Sequence, residues 1–107
     1  MKKLLLLCVL IAAMTPHIFA NDNTEIAAAT RSYVTKNSAM TKFVVVVEQV
    51  ADDFARVRVV PEDPKATDPA WVFLKKQDGK WTGLTIGTGF TTEDYQQLGI
   101  PNALRIP

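Results

Sequence analysis

The first apolar positions along the chain to show a clear period are helical. Ile26, Ala29 and Tyr33 fall at i, i+3 and i+7, with Ala27 and Val34 widening the stripe and Thr30 a polar gap in it. Asp22 is placed to cap this segment, and Glu25 three positions on would complete a capping box. The pattern predicts a helix over 22–36, broken at Asn37-Ser38.

The period then shortens to two. Val44 to Val47 are four consecutive β-branched residues, which lose side-chain freedom in a helix and suit a strand. Strands are expected over 41–51, 54–60, 70–76 and 80–87. Asp52-Asp53 turns the first pair. Asp78-Gly79 turns the second, and Asp-Gly suits a two-residue type I′ hairpin, whose central residues both need positive φ. Between the pairs, 61–69 holds three prolines, two Asp and one Glu, which reads as a stiff solvated loop. Thr91 or Thr92 caps a short helix with Glu93 and Asp94 at its positive end, and Gly99 followed by Pro101 stops it.

Alternation assigns faces to these strands. In the first hairpin Val44, Val46, Val50, Ala55, Val57 and Val59 share a side whose only charge is Glu48, which predicts a core face. Phe43, Val45, Val47, Gln49, Phe54, Arg56, Arg58 and Val60 take the other side. In the second hairpin the two-residue turn pairs Phe73 with Leu84 and Trp71 with Ile86, and these four are expected in the core. Val72, Leu74, Lys76, Trp81 and Thr85 then face away.

The predicted architecture is α+β: an N-terminal helix on a four-stranded antiparallel meander sheet, with a short C-terminal helix. The helix-first order and the stretch from Trp71 through Asp78-Gly79 to Trp81 resemble the cystatin-like and nuclear-transport-factor-like architectures of small exported bacterial proteins. The cystatin inhibitory motif Gln-x-Val-x-Gly is not met by Gln49-Val50-Ala51-Asp52-Asp53, so protease inhibition does not carry over. Enzymes of the second group often use an Asp/His pair in the sheet's pocket, and here the only His is His17.

The N-terminus changes the chemistry available. Lys2-Lys3, an uncharged run from Leu4 to Met14 and a stretch ending at Ala20 match a secretory signal peptide over residues 1–20. The run is shorter than the ~20 apolar residues that a bilayer requires. Cleavage after Ala20 would leave a single domain over residues 21–107, in the periplasm or the medium. It would also remove Cys8 and His17, the only Cys and the only His. A Ser-His-Asp triad and a thiol nucleophile are then out of reach, and a zinc site would need carboxylates alone. The full chain has 12 basic and 11 acidic residues, and losing Lys2 and Lys3 leaves a slight acidic excess. This argues against a nucleic-acid partner. Gly87-Thr88-Gly89 lacks the third glycine of a phosphate loop, and Asp52-Asp53 and Glu62-Asp63 lack the ligand spacing of a calcium loop. No cofactor or metal is expected.

What remains is the mixed sheet face. Arg56 and Arg58 lie two apart on one strand, and alternation places Val72 and Trp81 with them. Arg and Trp are enriched in interaction hot spots. Arg56, Arg58, Val72 and Trp81 are therefore the candidate binding residues of an exported, non-enzymatic binding module. Its partner would be a protein or a small apolar ligand, and a homodimer through the open face is a further option. Two other accounts are a carboxylate-based hydrolase or isomerase with a sheet-lined pocket, and a structural part of an envelope assembly. Alternatively, residues 88–107 fold over the face and make it a second core.

Overall fold

A computed structural model describes residues 17–106, so the expected leader lies outside the described residues up to position 16. The elements in chain order are helix α1 (His17–Asn37), strands β1 (Phe43–Ala51), β2 (Phe54–Pro61), β3 (Ala70–Gln77) and β4 (Lys80–Gly87), helix α2 (Thr92–Leu98) and a 3-10 turn (Asn102–Leu104). The strands form one antiparallel sheet in the order β1-β2-β3-β4. The fold is the expected α+β arrangement of a helix, a meander sheet and a short C-terminal helix.

The local signals act as their chemistry requires. Asp78 and Gly79 have φ of 53° and 79°, both positive as the hairpin demands. Thr91 caps α2: its hydroxyl accepts from the Asp94 amide at 3.1 Å, while the Asp94 carboxylate accepts from the Thr91 amide at 2.9 Å. Gly99 closes the helix in the left-handed conformation at φ 70°.

Helix α1 starts earlier than its apolar stripe predicts and runs straight through Asp22, which is therefore not its cap. The Asp22 carboxylate reaches the sheet instead, accepting from Lys76 Nζ at 3.3 Å and, weakly, from Trp81 Nε1 at 3.5 Å. The buried stripe of α1 is Ile26, Thr30 and Val34, all fully enclosed. Thr30 sits inside because its hydroxyl donates to the Ile26 carbonyl at 2.7 Å, so no polar atom is left unpaired. Tyr33 lies on Gly83 of β4, where a Cβ would overlap the ring.

Two bulges overturn the expected faces. Between Val47 and Gln49 the pairing of β1 with β2 shifts by one, so Val47 opposes Val57 and Val46 opposes Arg58. The inserted residue is Glu48. Phe43, Val45 and Val47 consequently turn toward α1, with Ala55, Val57 and Val59. Val44 and Val46, expected in the core, are 51% and 46% exposed. Val50 keeps its parity with Ala55 but is 43% exposed at the far end of the edge strand. In the second hairpin the register runs as expected from Gln77↔Lys80 to Leu74↔Gly83, then slips, so Phe73 opposes Thr85 and Trp71 opposes Gly87.

The sheet has two cores. Val72, Leu74, Trp81 and Ile86 pack on the α1 side. Phe73, expected beneath α1, lies on the other face with Tyr95, Ile100 and Leu104, and Leu84 packs against that cluster. Phe73 meets Phe90 and Tyr95 edge-on, with ring centroids 5.2 and 5.7 Å apart. The C-terminal segment therefore covers part of the outer face.

The bulge has a direct test. Val57→Asp should abolish cooperative unfolding, because an unpaired charge in the core costs several kcal/mol against a total of ~5–15 kcal/mol. Val46→Asp should shift stability by no more than ~0.5 kcal/mol, as other exposed substitutions do. Urea titrations followed by circular dichroism separate the two, and equal loss in both variants would contradict the observed register.

Candidate interaction surface

The four predicted site residues do not come together. Arg56 and Arg58 are on the outer face of β2, while Val72 is fully buried and Trp81 is 8% exposed beneath α1. Alternation within the second hairpin holds up to the bulge, where Val72, Leu74 and Trp81 share a face, and fails beyond it, where Ile86 joins Val72 instead of Phe73. The error is the phase between the hairpins: Val57, not Arg56 or Arg58, opposes Val72. The loop between β2 and β3 has no tight-turn geometry to carry a register across it.

The outer face instead gathers Glu48, Arg56, Arg58 and Trp71. Glu48 Oε1 accepts from Arg56 Nε at 2.8 Å and from Trp71 Nε1 at 3.0 Å. Arg56 Nη1 also donates to the Leu104 carbonyl at 2.9 Å. Arg56 is thus a bracket that holds the 3-10 turn against the sheet, a task for which its fork of donors is suited.

Arg58 is differently placed. Its guanidinium carbon lies 5.4 Å from the centre of the Trp71 ring, a cation–π arrangement. Its Nε is the one buried side-chain nitrogen or oxygen without a hydrogen-bond partner among the described residues. Val46, Arg58 and Trp71 form one cross-strand row, and Val44 and Val60 form the next. The C-terminal segment stops short of these rows: Val44 and Val46 are exposed, and Arg58, Val60 and Trp71 are half-buried. Val44, Val46 and Trp71 are core positions in the sequence pattern, with Glu48 the one charge on the face of the two valines, and all four lie on the outer face instead. A lone carboxylate within a run of valines was the available sign that the strand's alternation is interrupted.

Other features carry less chemistry. A concavity of about 470 Å³ lies between the α1–β1 and β2–β3 loops, lined by Met40, Thr41, Lys42, Pro61, Glu62 and Thr67 among others. It is a loop-lined hollow rather than a sheet-lined pocket. No group of three or more metal-ligating His, Cys, Asp or Glu side chains occurs among the described residues. No helix among the described residues is long and apolar enough to cross a membrane. No protein-family model, curated protein or solved structure matches the chain.

Arg56→Ala should destabilise the domain by about 1.5–3 kcal/mol, the range for hydrogen bonds to charged groups. Amide hydrogen exchange should quicken over residues 100–106 before other regions. Protection of that segment unchanged in the variant would show that Arg56 does not hold it.

Proposed function

We propose that this chain is an exported, non-enzymatic binding module whose contact surface is the strip formed by Val44, Val46, Arg58 and Trp71. One observation carries this reading. Arg58 stacks on Trp71 with a donor unengaged, beside valines that are half exposed. The Nε is itself enclosed, so an incoming acceptor would meet the half-buried guanidinium at its Nη groups. The surface suits a protein segment that offers a carboxylate flanked by apolar side chains, with the carboxylate on Arg58 and the apolar groups on Val44 and Val46.

Export is part of the same proposal, supported by Lys2-Lys3 and the apolar run that follows. The cut after Ala20 falls within α1, and Asp22 with its bonds to Lys76 and Trp81 stays on the mature side. Intact-mass measurement of the protein from the periplasm or medium should give a chain beginning at Asn21. A full-length chain retained in the cytoplasm would contradict export.

The binding surface is tested by capturing envelope proteins on the immobilised mature protein, identifying them by mass spectrometry and titrating the purified partner. Arg58→Ala should weaken that complex about 30-fold, the scale of a ~2 kcal/mol hot spot, with a nearly unchanged melting temperature. Arg58→Lys should restore little, because an ammonium neither stacks nor forks. An identical affinity in all three proteins would remove the strip from consideration. Turnover of an ester, glycoside or phosphate substrate that is lost on Glu62→Gln would favour the carboxylate enzyme instead.

A further inference from the structure

The free edge of β1 carries a second observation. β1 ends the sheet, and Lys42 and Glu48 bracket its valines at equal distances from Val45. Both flanking side chains belong to the outer face: Glu48 contacts Arg56 and Trp71 there, and alternation puts Lys42 with Val44 and Val46.

The backbone is oriented for pairing. The Glu62 amide donates to the Lys42 carbonyl at 3.0 Å, so Lys42 directs its peptide groups toward β2. In an antiparallel ladder this role alternates. Val44 and Val46 therefore also bond inward, and Phe43, Val45 and Val47 present their N–H and C=O groups to the open edge. No hydrogen bond from outside the sheet reaches these three among the described residues. Such an edge is a template for another strand.

We infer that the occupant of this edge is a second copy of the chain, paired β1 to β1 about a two-fold axis at Val45. In that register Val45 opposes Val45 of the second copy, Phe43 opposes Val47 and Val44 opposes Val46. Lys42 opposes Glu48 at both ends, and Oε2 is the oxygen left for it, since Glu48 Oε1 already accepts from Arg56 and Trp71. About six backbone hydrogen bonds form, because the outward-directed residues oppose one another. Sliding the strands by two residues keeps some valines against valines but sets Glu48 against Val44 or Met40 and Lys42 against Val50 or Val46, so neither charge is matched. The charge pair thus selects one register from several that the valines alone would accept. The inference builds on the binding reading, since pairing joins the two outer-face strips into one surface across eight strands.

The register is tested by cross-linking in the mature protein. Val44 and Val46 of opposite copies would be a non-hydrogen-bonded pair with Cα atoms about 4.5 Å apart, within disulfide range. A mixture of Val44→Cys and Val46→Cys chains should give a disulfide-linked heterodimer on mild oxidation, with much less linkage in either variant alone. Sedimentation equilibrium of the uncross-linked protein should show a concentration-dependent dimer. Lys42→Glu should weaken it about tenfold by opposing like charges, and added salt should reduce the difference between variant and wild type. Val45→Pro should leave a folded monomer, because it removes an amide that points away from β2. A monomer at every concentration, or linkage in the single variants equal to that in the mixture, overturns the inference. A monomer whose partner binding still depends on Arg58 would overturn the dimer alone. A dimer that captures its partner independently of Arg58 would overturn the strip alone.

Discussion

The extra residue at Glu48 is the constraint on which the rest of the structure depends. Strand β2 is read continuously, with alternate positions buried from Ala55 to Pro61. β1 must match it with one residue too many, and the bulge between Val47 and Gln49 absorbs the excess. Everything N-terminal to the bulge is rotated by one position relative to an unbroken ladder. This sends Val45 and Val47 under α1 and leaves Val44 and Val46 outside. It also places the Glu48 carboxylate over the sheet, where Arg56 and Trp71 both donate to it. Arg56 then has a donor left for the Leu104 carbonyl, so the anchoring of the C-terminal turn follows from the same irregularity.

A four-stranded sheet with apolar residues on both faces needs two covers, and this chain supplies unequal ones. α1 spans the inner face with an enclosed stripe of Ile26, Thr30 and Val34, and Tyr33 settles on the bare backbone of Gly83. The outer face receives α2, the 3-10 turn, Phe90, Ile100 and Ile106. These fill the half around Phe73 and leave the rows of Val44 and Val46 uncovered. Exposed apolar groups on an edge strand are normally a hazard that charge mitigates. Lys42 and Glu48 stand at the two ends of the exposed run, where charge opposes indiscriminate strand addition.

Much of this fold is legible in the sequence where the signal is local. Asp78-Gly79, Thr91 with Asp94, and Gly99 act over a few residues and their geometry follows from steric and hydrogen-bonding rules. The faces of β2 are also legible, because Arg56 and Arg58 break the symmetry between its two sides. The faces of β1 are not. Four valines in succession look the same whichever way they are turned, so the hydrophobic pattern holds no phase information there. The phase has to be carried from the Asp52-Asp53 turn through Glu48, and one inserted residue inverts it. Trp81 failed for a related reason. Its parity with Val72 was correct, but the loop between β2 and β3 does not transmit which face that parity denotes, and a tryptophan fits a buried site with Asp22 near its indole nitrogen as readily as an exposed one.

The arginines show how far neighbours decide what a residue can do. Arg56 and Arg58 have the same charge, strand and face. Arg56 is held by an anion and a carbonyl, so two of its donors are committed inside the protein. Arg58 has an aromatic plane in place of an anion, which supports the cation without consuming its donors. Removing Arg56 therefore acts on folding, whereas Arg58 has capacity to spare for another molecule. In the paired form two such groups would flank a floor of four valines, one pair from each copy. Strand spacing and the two-residue offset put the arginine Cα atoms about 16 Å apart. A compact ligand cannot touch both, so the joined surface favours an extended or two-fold symmetric partner over a small apolar molecule.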